Sequence, residues 1–214
     1  MAIWFLVLIQ MLRGITLKGF LVGMLVWVGV AYGWKFYVVR HYTPPASNGM
    51  PTQGHVVNVI DGDTLTILDP AKNIEHIRIA SIDAPELAHG PTEPGQPFGV
   101  EARAFLDQWG YQRDVALRCY ERDRYGRLVC DVWRDPEHES AGRELARMGL
   151  AWSYQMRGRQ VQDYNIPYLA AGAQRLHLGL WGTGQHPVAP WRWRHECWQQ
   201  RQCSGELLAA AASP

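Results

Sequence analysis

The spacing of apolar and polar positions changes several times along the chain, and each change marks an element. Residues 20–39 are apolar or aromatic with a single interruption at Lys35. At about 1.5 Å per helical residue this stretch spans about 30 Å, the thickness of a bilayer's hydrocarbon core. The pattern predicts one N-terminal transmembrane helix within residues 1–42. A cleaved signal peptide, with small residues at Gly29-Val30-Ala31, is the rival reading, and a buried core helix is the third. Residues 43–54, rich in Pro, Gly, Ser and Thr, read as a linker.

Short apolar runs then follow at residues 56–60, 65–68, 74–82, 115–120 and 128–133, separated by turn-forming clusters such as Asp61-Gly62-Asp63. They predict five strands. Helical spacing appears over residues 100–109, where Val100, Ala104, Phe105 and Leu106 form a stripe. It returns over 140–148, with Ser140 as N-cap and Gly149 as stop, and over 166–178, with Leu169, Ala173, Leu176 and Leu180 on one face and Gly179 closing the helix. The order predicts a mainly β fold with α. It is a five-stranded, closed antiparallel barrel of the OB-fold kind with about three helices, preceded by the N-terminal transmembrane helix. The barrel would fill residues 55–184, leaving 185–214 as a C-terminal tail containing Arg, Trp and Cys.

Composition sharpens this picture in two places. The 214 residues are 47% hydrophobic with a net charge of +1, which excludes both low-complexity disorder and a strongly basic nucleic-acid binder. The first 60 residues hold Arg13, Lys18, Lys35 and Arg40 and no acid, so the globular part is mildly acidic. Basic residues flank the apolar stretch two and two, and charge alone does not orient it. All four cysteines lie beyond it. Cys197 and Cys203 close a short polar loop, and Cys119 and Cys130 lie symmetrically about a hairpin turn. Two disulfides in an oxidising compartment and four buried thiols are both open readings. A zinc site from His195, Cys197 and Cys203 lacks a well-spaced fourth ligand.

Polar chemistry concentrates in Asp61-Gly-Asp-Thr64, Arg78-Ile-Ala-Ser-Ile-Asp-Ala-Pro-Glu86 and Asp123-Arg-Tyr-Gly-Arg127. Asp63 follows a glycine turn, Asp83 ends a strand, and Pro85 holds Ala84 extended, so that Asp83, the Ala84 carbonyl and Glu86 project from one bend. Oxygen donors without paired His or Cys favour Ca²⁺ or Mg²⁺ over zinc. Taken singly, each acid is equally a turn former or cap. Arg78 and Arg127 can reach the same cleft, and a cation with two guanidiniums suits a phosphodiester accumulating charge. Taken singly, each arginine is equally a structural or solvated ion pair. Phosphoryl transfer is the leading chemistry.

Residues 59–64 (Val-Ile-Asp-Gly-Asp-Thr), 78–86, 125–127 (Tyr-Gly-Arg) and 145–151 (Leu-Ala-Arg-Met-Gly-Leu-Ala), in this order, resemble the staphylococcal nuclease family. The resemblance implies a Ca²⁺-dependent nuclease, with Mg²⁺ or Mn²⁺ less favoured, that cuts single- and double-stranded DNA and RNA. It places Asp63, Asp83, the Ala84 carbonyl and Glu86 at the metal, Glu86 also on the attacking water, Arg78 and Arg127 as catalytic arginines, and Tyr125 and Tyr154 against the nucleotide. It also carries the expectation of a 3′-phosphate product. The anchor suggests a membrane-tethered enzyme with its nuclease domain extracytoplasmic, or secreted if the leader is cleaved. A non-catalytic nucleic-acid-binding module and a membrane-tethered assembly protein are the alternatives. For the tail, packing on the barrel, contact with single-stranded bases and contact with a membrane or partner all remain open.

Overall fold

The computed structural model describes residues 49–135, 138–154, 162–182 and 187–203. The chain divides into two units, Met1–Thr43 and Pro44–Pro214, and the described residues belong to the second. The predicted transmembrane helix lies outside the described residues, among which no helix is long and apolar enough to cross a membrane.

Strands β1 (Gln53–Val59), β2 (Thr64–Leu68) and β3 (Ile74–Ile79) form an antiparallel meander. In β1 the alternation that buries Gly54 and Val56 slips by one residue at Val57 and resumes at Val59, where the register with β2 shifts. This is a bulge, and it bends the ribbon toward closure. Strands β5 (Asp114–Arg122) and β6 (Leu128–Trp133) form a hairpin whose first strand pairs with β1. The ring runs β1-β2-β3-β6-β5 and closes.

The expected all-antiparallel ring is corrected at one seam. Five strands cannot alternate in direction around a closed circle, so one neighbouring pair must run parallel. That pair is β3 with β6, in the register Ile77↔Leu128, Arg78↔Val129 and Ile79↔Cys130. The apolar run 74–82 is also not one strand. The backbone leaves the barrel after Ile79, passes through a left-handed conformation at Ser81, and forms a two-residue strand, β4 (Ile82–Asp83). β4 pairs with β7 (Trp152–Ser153) in a separate ladder.

Helix α1 (Gly99–Gly110) buries Ala102, Leu106 and Trp109 against the barrel. The stripe read through Val100 and Ala104 is therefore rotated, and Val100 is 69% exposed. Gly62 permits this packing, because a Cβ there would stand 2.7 Å from the Cβ atoms of both Ala102 and Ala84. The turn carrying Asp61 and Asp63 rests directly on the Ala102 face. Helix α2 (Ala141–Arg147) starts at Ser140, whose hydroxyl accepts the Arg143 N–H at 3.3 Å, and the chain then turns at Gly149 with φ 69°. Helix α3 (Asn165–Arg175) packs on α2 through Ile166, Ala170 and Ala173. Leu176 falls just past its end and is exposed, while Leu180 is buried in the 3₁₀ turn Gly179–Trp181.

The described part of the tail forms a short helix, α4 (Pro190–Trp193), with Pro190 at its first turn, continued by a π-helical turn at Arg194–Gln199. Trp193 and Cys197 form a small core of their own, with Val188, Trp198 and Cys203 packed around it. The structure joins Cys197 to Cys203 across this turn and Cys119 to Cys130 across β5 and β6, where the two are directly opposed. These bonds account for all four cysteines of the chain.

Candidate active site

One end of the β2-β3 pair, where Thr64 faces Arg78, borders a cleft of about 1450 Å³ whose walls include Asp61, Asp63, Arg78, Asp83, Glu86 and Arg127. Asp63 sits in the tight turn between β1 and β2. The Asp61 carboxylate accepts the Asp63 backbone N–H at 3.0 Å, and the Asp63 carbonyl accepts the Ile79 N–H at 2.8 Å. Its carboxylate takes the Thr64 hydroxyl at 3.0 Å on one oxygen and the Ala84 N–H at 2.9 Å on the other. Asp83 is placed by the β4-β7 ladder and is 1% exposed.

Arg78 lies on β3 with its side chain on the face opposite Ile77 and Ile79. Its guanidinium bridges Asp63 and Asp83, the latter at 2.7 Å. Arg127 opens β6. It forks onto Asp123 through Nε and Nη2, both at 2.8 Å, and its Nη1 approaches the Thr64 hydroxyl at 3.4 Å. The two arginines come from positions 49 residues apart and meet because the parallel seam sets Leu128 beside Ile77.

Glu86 stands on the bend after Pro85. Its N–H donates to the Gln96 side-chain oxygen at 3.0 Å, and its carbonyl accepts the Gln96 N–H at 2.8 Å, which fixes the bend to the loop before α1. Gly99 lies so close to the Glu86 carbonyl that a Cβ could not fit between them. Tyr125 is exposed at the rim beneath the guanidiniums of Arg124 and Arg127, at 4.9 and 5.5 Å from its ring centroid. Tyr154 is half-buried on another wall of the cleft, its N–H bonded to the Ser81 carbonyl at 2.9 Å.

The structure adds two residues to those read from the sequence. Asp61 lines the cleft, and the doubled acid of Asp61-Gly62-Asp63 was its signal. Arg194 arrives from the tail. Its Nη2 and Nη1 donate to the two Asp83 oxygens at 2.8 and 3.2 Å, and Nη1 also pairs with Glu86. A sequence separation of 111 residues left no local pattern to announce it. The tail reaches this position because Trp193 and Trp198 both donate their indole N–H to the Pro94 carbonyl, at 2.9 and 3.0 Å, and Gln96 donates to the Val188 carbonyl at 2.9 Å.

Charge in the cleft is unevenly shared. Burial works against the Asp63 charge, but Arg78 and the Ala84 N–H outweigh it and hold Asp63 below the usual carboxylate range. Burial raises Asp83, with the two arginines pulling the other way. Burial pushes Glu86 up to about 7 against the pull of Arg194 and with Asp63 adding to the rise. Asp61 is pushed up to about 8, by burial first and by Asp63 next. Four acids thus face Arg78 and Arg194 with too little positive charge to ionise them all. An oxygen-only donor set short of positive charge fits a hard divalent cation. Asp63, Asp83 and the Ala84 carbonyl are the groups that would hold one. In this arginine-paired arrangement, no three His, Cys, Asp or Glu side chains converge on a common metal position among the described residues.

Comparison with known proteins agrees with this chemistry. Residues 76–183 match the family described as staphylococcal nuclease homologue. The chain is 34% identical over 151 residues to Protein ParB of Escherichia coli, covering 67% of this chain and 80% of that protein. It is 32% identical over 149 residues to a micrococcal nuclease of Shigella flexneri, covering 66% and 80%, and 33% identical over 142 residues to an uncharacterized endonuclease of Escherichia coli, covering 66% and 84%. An acid-and-arginine cleft at the seam of a five-stranded barrel and these relatives lead to one assignment: the chain belongs to the staphylococcal nuclease family and is a nuclease, a hydrolase of phosphodiester bonds.

Proposed function

We propose that this nuclease cleaves single- and double-stranded DNA and RNA with little sequence preference, using a divalent cation, Ca²⁺ before Mg²⁺ or Mn²⁺. The observation that carries the reading is the single cleft in which Asp63, Asp83 and Glu86 face Arg78 while Arg127 stands beside Thr64. A cation bound there supplies Lewis-acid polarisation of a phosphate oxygen and of water. Arg78, already aimed between Asp63 and Asp83, holds the scissile phosphate. Glu86, on its braced bend, orients the attacking water and takes its proton. Arg127 adds charge stabilisation as negative charge builds on the phosphoryl oxygens, and its Asp123 partner holds the fork in line. Tyr125 and Tyr154 flank the nucleotide. The groups at the centre of the cleft are charges suited to phosphate, which positions a strand without reading its sequence. Affinity therefore falls as salt is added.

Residues 1–42 anchor the enzyme, with its barrel on the extracytoplasmic side, or direct its secretion if they are removed. Two disulfides support this placement, because such bonds persist in oxidising compartments. The test of the reading is hydrolysis of single-stranded DNA, duplex DNA and RNA by the full chain with Ca²⁺, Mg²⁺, Mn²⁺ or a chelator, beside Glu86→Gln. Chelator-sensitive cleavage of all three, reduced about 10³-fold in the variant, is the expected result. A folded wild-type protein that cuts none of them overturns it.

A further inference from the structure

The Arg and Trp interleave of the tail is not used by the chemistry above, yet it forms part of the cleft wall. Trp191 lies there beside Tyr154, with ring centroids 5.5 Å apart and planes inclined by 36°, and its edge meets Trp152 at 5.8 Å. It remains 41% exposed, whereas Trp193, two residues on, is fully buried. Trp191 and Arg194 are three positions apart on one helical segment, so they stand on the same side of it, about 4.5 Å apart along the axis. Arg194 touches Asp83 and Glu86. Trp191 thus lines the same cleft as Arg194, beside the residue that reaches the acids at its centre.

We propose that Trp191, backed by Tyr154 and Trp152, is a stacking platform for an unpaired nucleobase next to the scissile phosphate, so that the tail supplies a nucleotide subsite of its own. This rests on the nuclease reading of the same cleft. Three observations favour a base over other occupants. The indole opens into a densely charged cleft, with Arg78, Arg127 and Arg194 set among four acids, a setting for phosphates with a cation and not for lipid tails. Tyr154 is too close to Trp191 for a ring to enter between them, so the pair offers one outer face, as a base-stacking surface requires. The segment is also braced from behind, by the two indole bonds to Pro94 and by the Cys197–Cys203 bond, so the platform is held in place before substrate arrives.

The test is a cycle between protein and substrate. Cleavage of a single-stranded oligonucleotide by the full chain is measured for wild type, Trp191→Phe and Trp191→Ala. Each is assayed on the intact strand and on strands carrying one abasic residue at successive positions around the cleavage site. Trp191→Ala is expected to raise KM for the intact single strand about tenfold, the loss of one stacked base, with kcat within about twofold. Trp191→Phe recovers most of the loss, and duplex DNA, whose bases are already stacked, shifts by less than about twofold. At one abasic position the wild type loses a similar factor and Trp191→Ala loses nothing further. Losses that multiply at every position, or an unchanged KM in Trp191→Ala, overturn the proposal, because a merely structural tryptophan acts independently of the base. Absence of cleavage by wild type would instead defeat the nuclease reading itself.

Discussion

The two guanidiniums that meet at Asp83 are held in opposite ways. Arg78 is part of a barrel strand. Its position follows from the register Thr64↔Arg78 on one side and Arg78↔Val129 on the other, and its side chain is 12% exposed. Arg194 belongs to the tail, is 32% exposed, and is located by two indole bonds to one carbonyl, one glutamine bond and the Cys197–Cys203 disulfide loop. The same carboxylate therefore has one partner that the fold cannot withdraw and another that can leave without unmaking a strand. Permanence in this site is set by backbone pairing more than by the strength of an ion pair.

The contrast is testable, and the strand-borne arginine carries the largest effect. Arg78→Ala removes the proposed phosphate contact and leaves Asp63 without its buried partner and Asp83 with Arg194 alone. We expect kcat/KM to fall by about 10³-fold and stability by about 3 kcal/mol, read by initial rates and by urea unfolding. A stable variant with near-normal activity would erase the distinction. Arg127→Ala comes next. Its fork is ion-paired with Asp123 at the rim, so kcat should drop about 10²-fold with KM changed far less, and equal losses in binding and turnover would remove its proposed transition-state role. Replacing Cys197 and Cys203 together by serine should loosen the tail by about 2 kcal/mol while the barrel's thermal midpoint stays in place. A drop in the main transition would show that the tail is part of the barrel's cooperative unit. The smallest effect belongs to Arg194→Gln, which frees Asp83 and Glu86 of a competing cation. Calorimetric titration should show Ca²⁺ binding tightened several-fold, and weaker binding would make Arg194 a supporting residue of the metal site.

The same division separates what the sequence shows from what it hides. Strand periodicity located all five barrel strands, and the count of five already contains the parallel seam, since an odd ring cannot alternate. The break at Ala80-Ser81 was invisible because Ile79 and Ile82 continue an apolar run; only the left-handed backbone at Ser81 reveals that the chain changes sheets. The face of α1 was misjudged through Val100. The buried face runs through Ala102, Leu106 and Trp109, and Ala102 packs against the bare Cα of Gly62, a contact with another element that helical spacing does not encode. Asp63, Arg78, Asp83, Glu86 and Arg127 were legible because local turns and strand ends present them. Arg194 was not, because its place depends on Pro94, Gln96 and Val188, and no short-range pattern encodes a meeting of distant loops.

The parallel seam has a further consequence for the life of the chain during synthesis. β1, β2 and β3 join through turns of a few residues, whereas β3 and β6 meet only after about 50 intervening residues have been ordered, which makes ring closure the entropically costly event. Arg78 lies on one side of that seam and Arg127 at the start of the other. A growing or unfolded chain therefore holds Arg127 apart from Arg78 and the carboxylates, and the cleft is assembled only when that gap in the wall has shut.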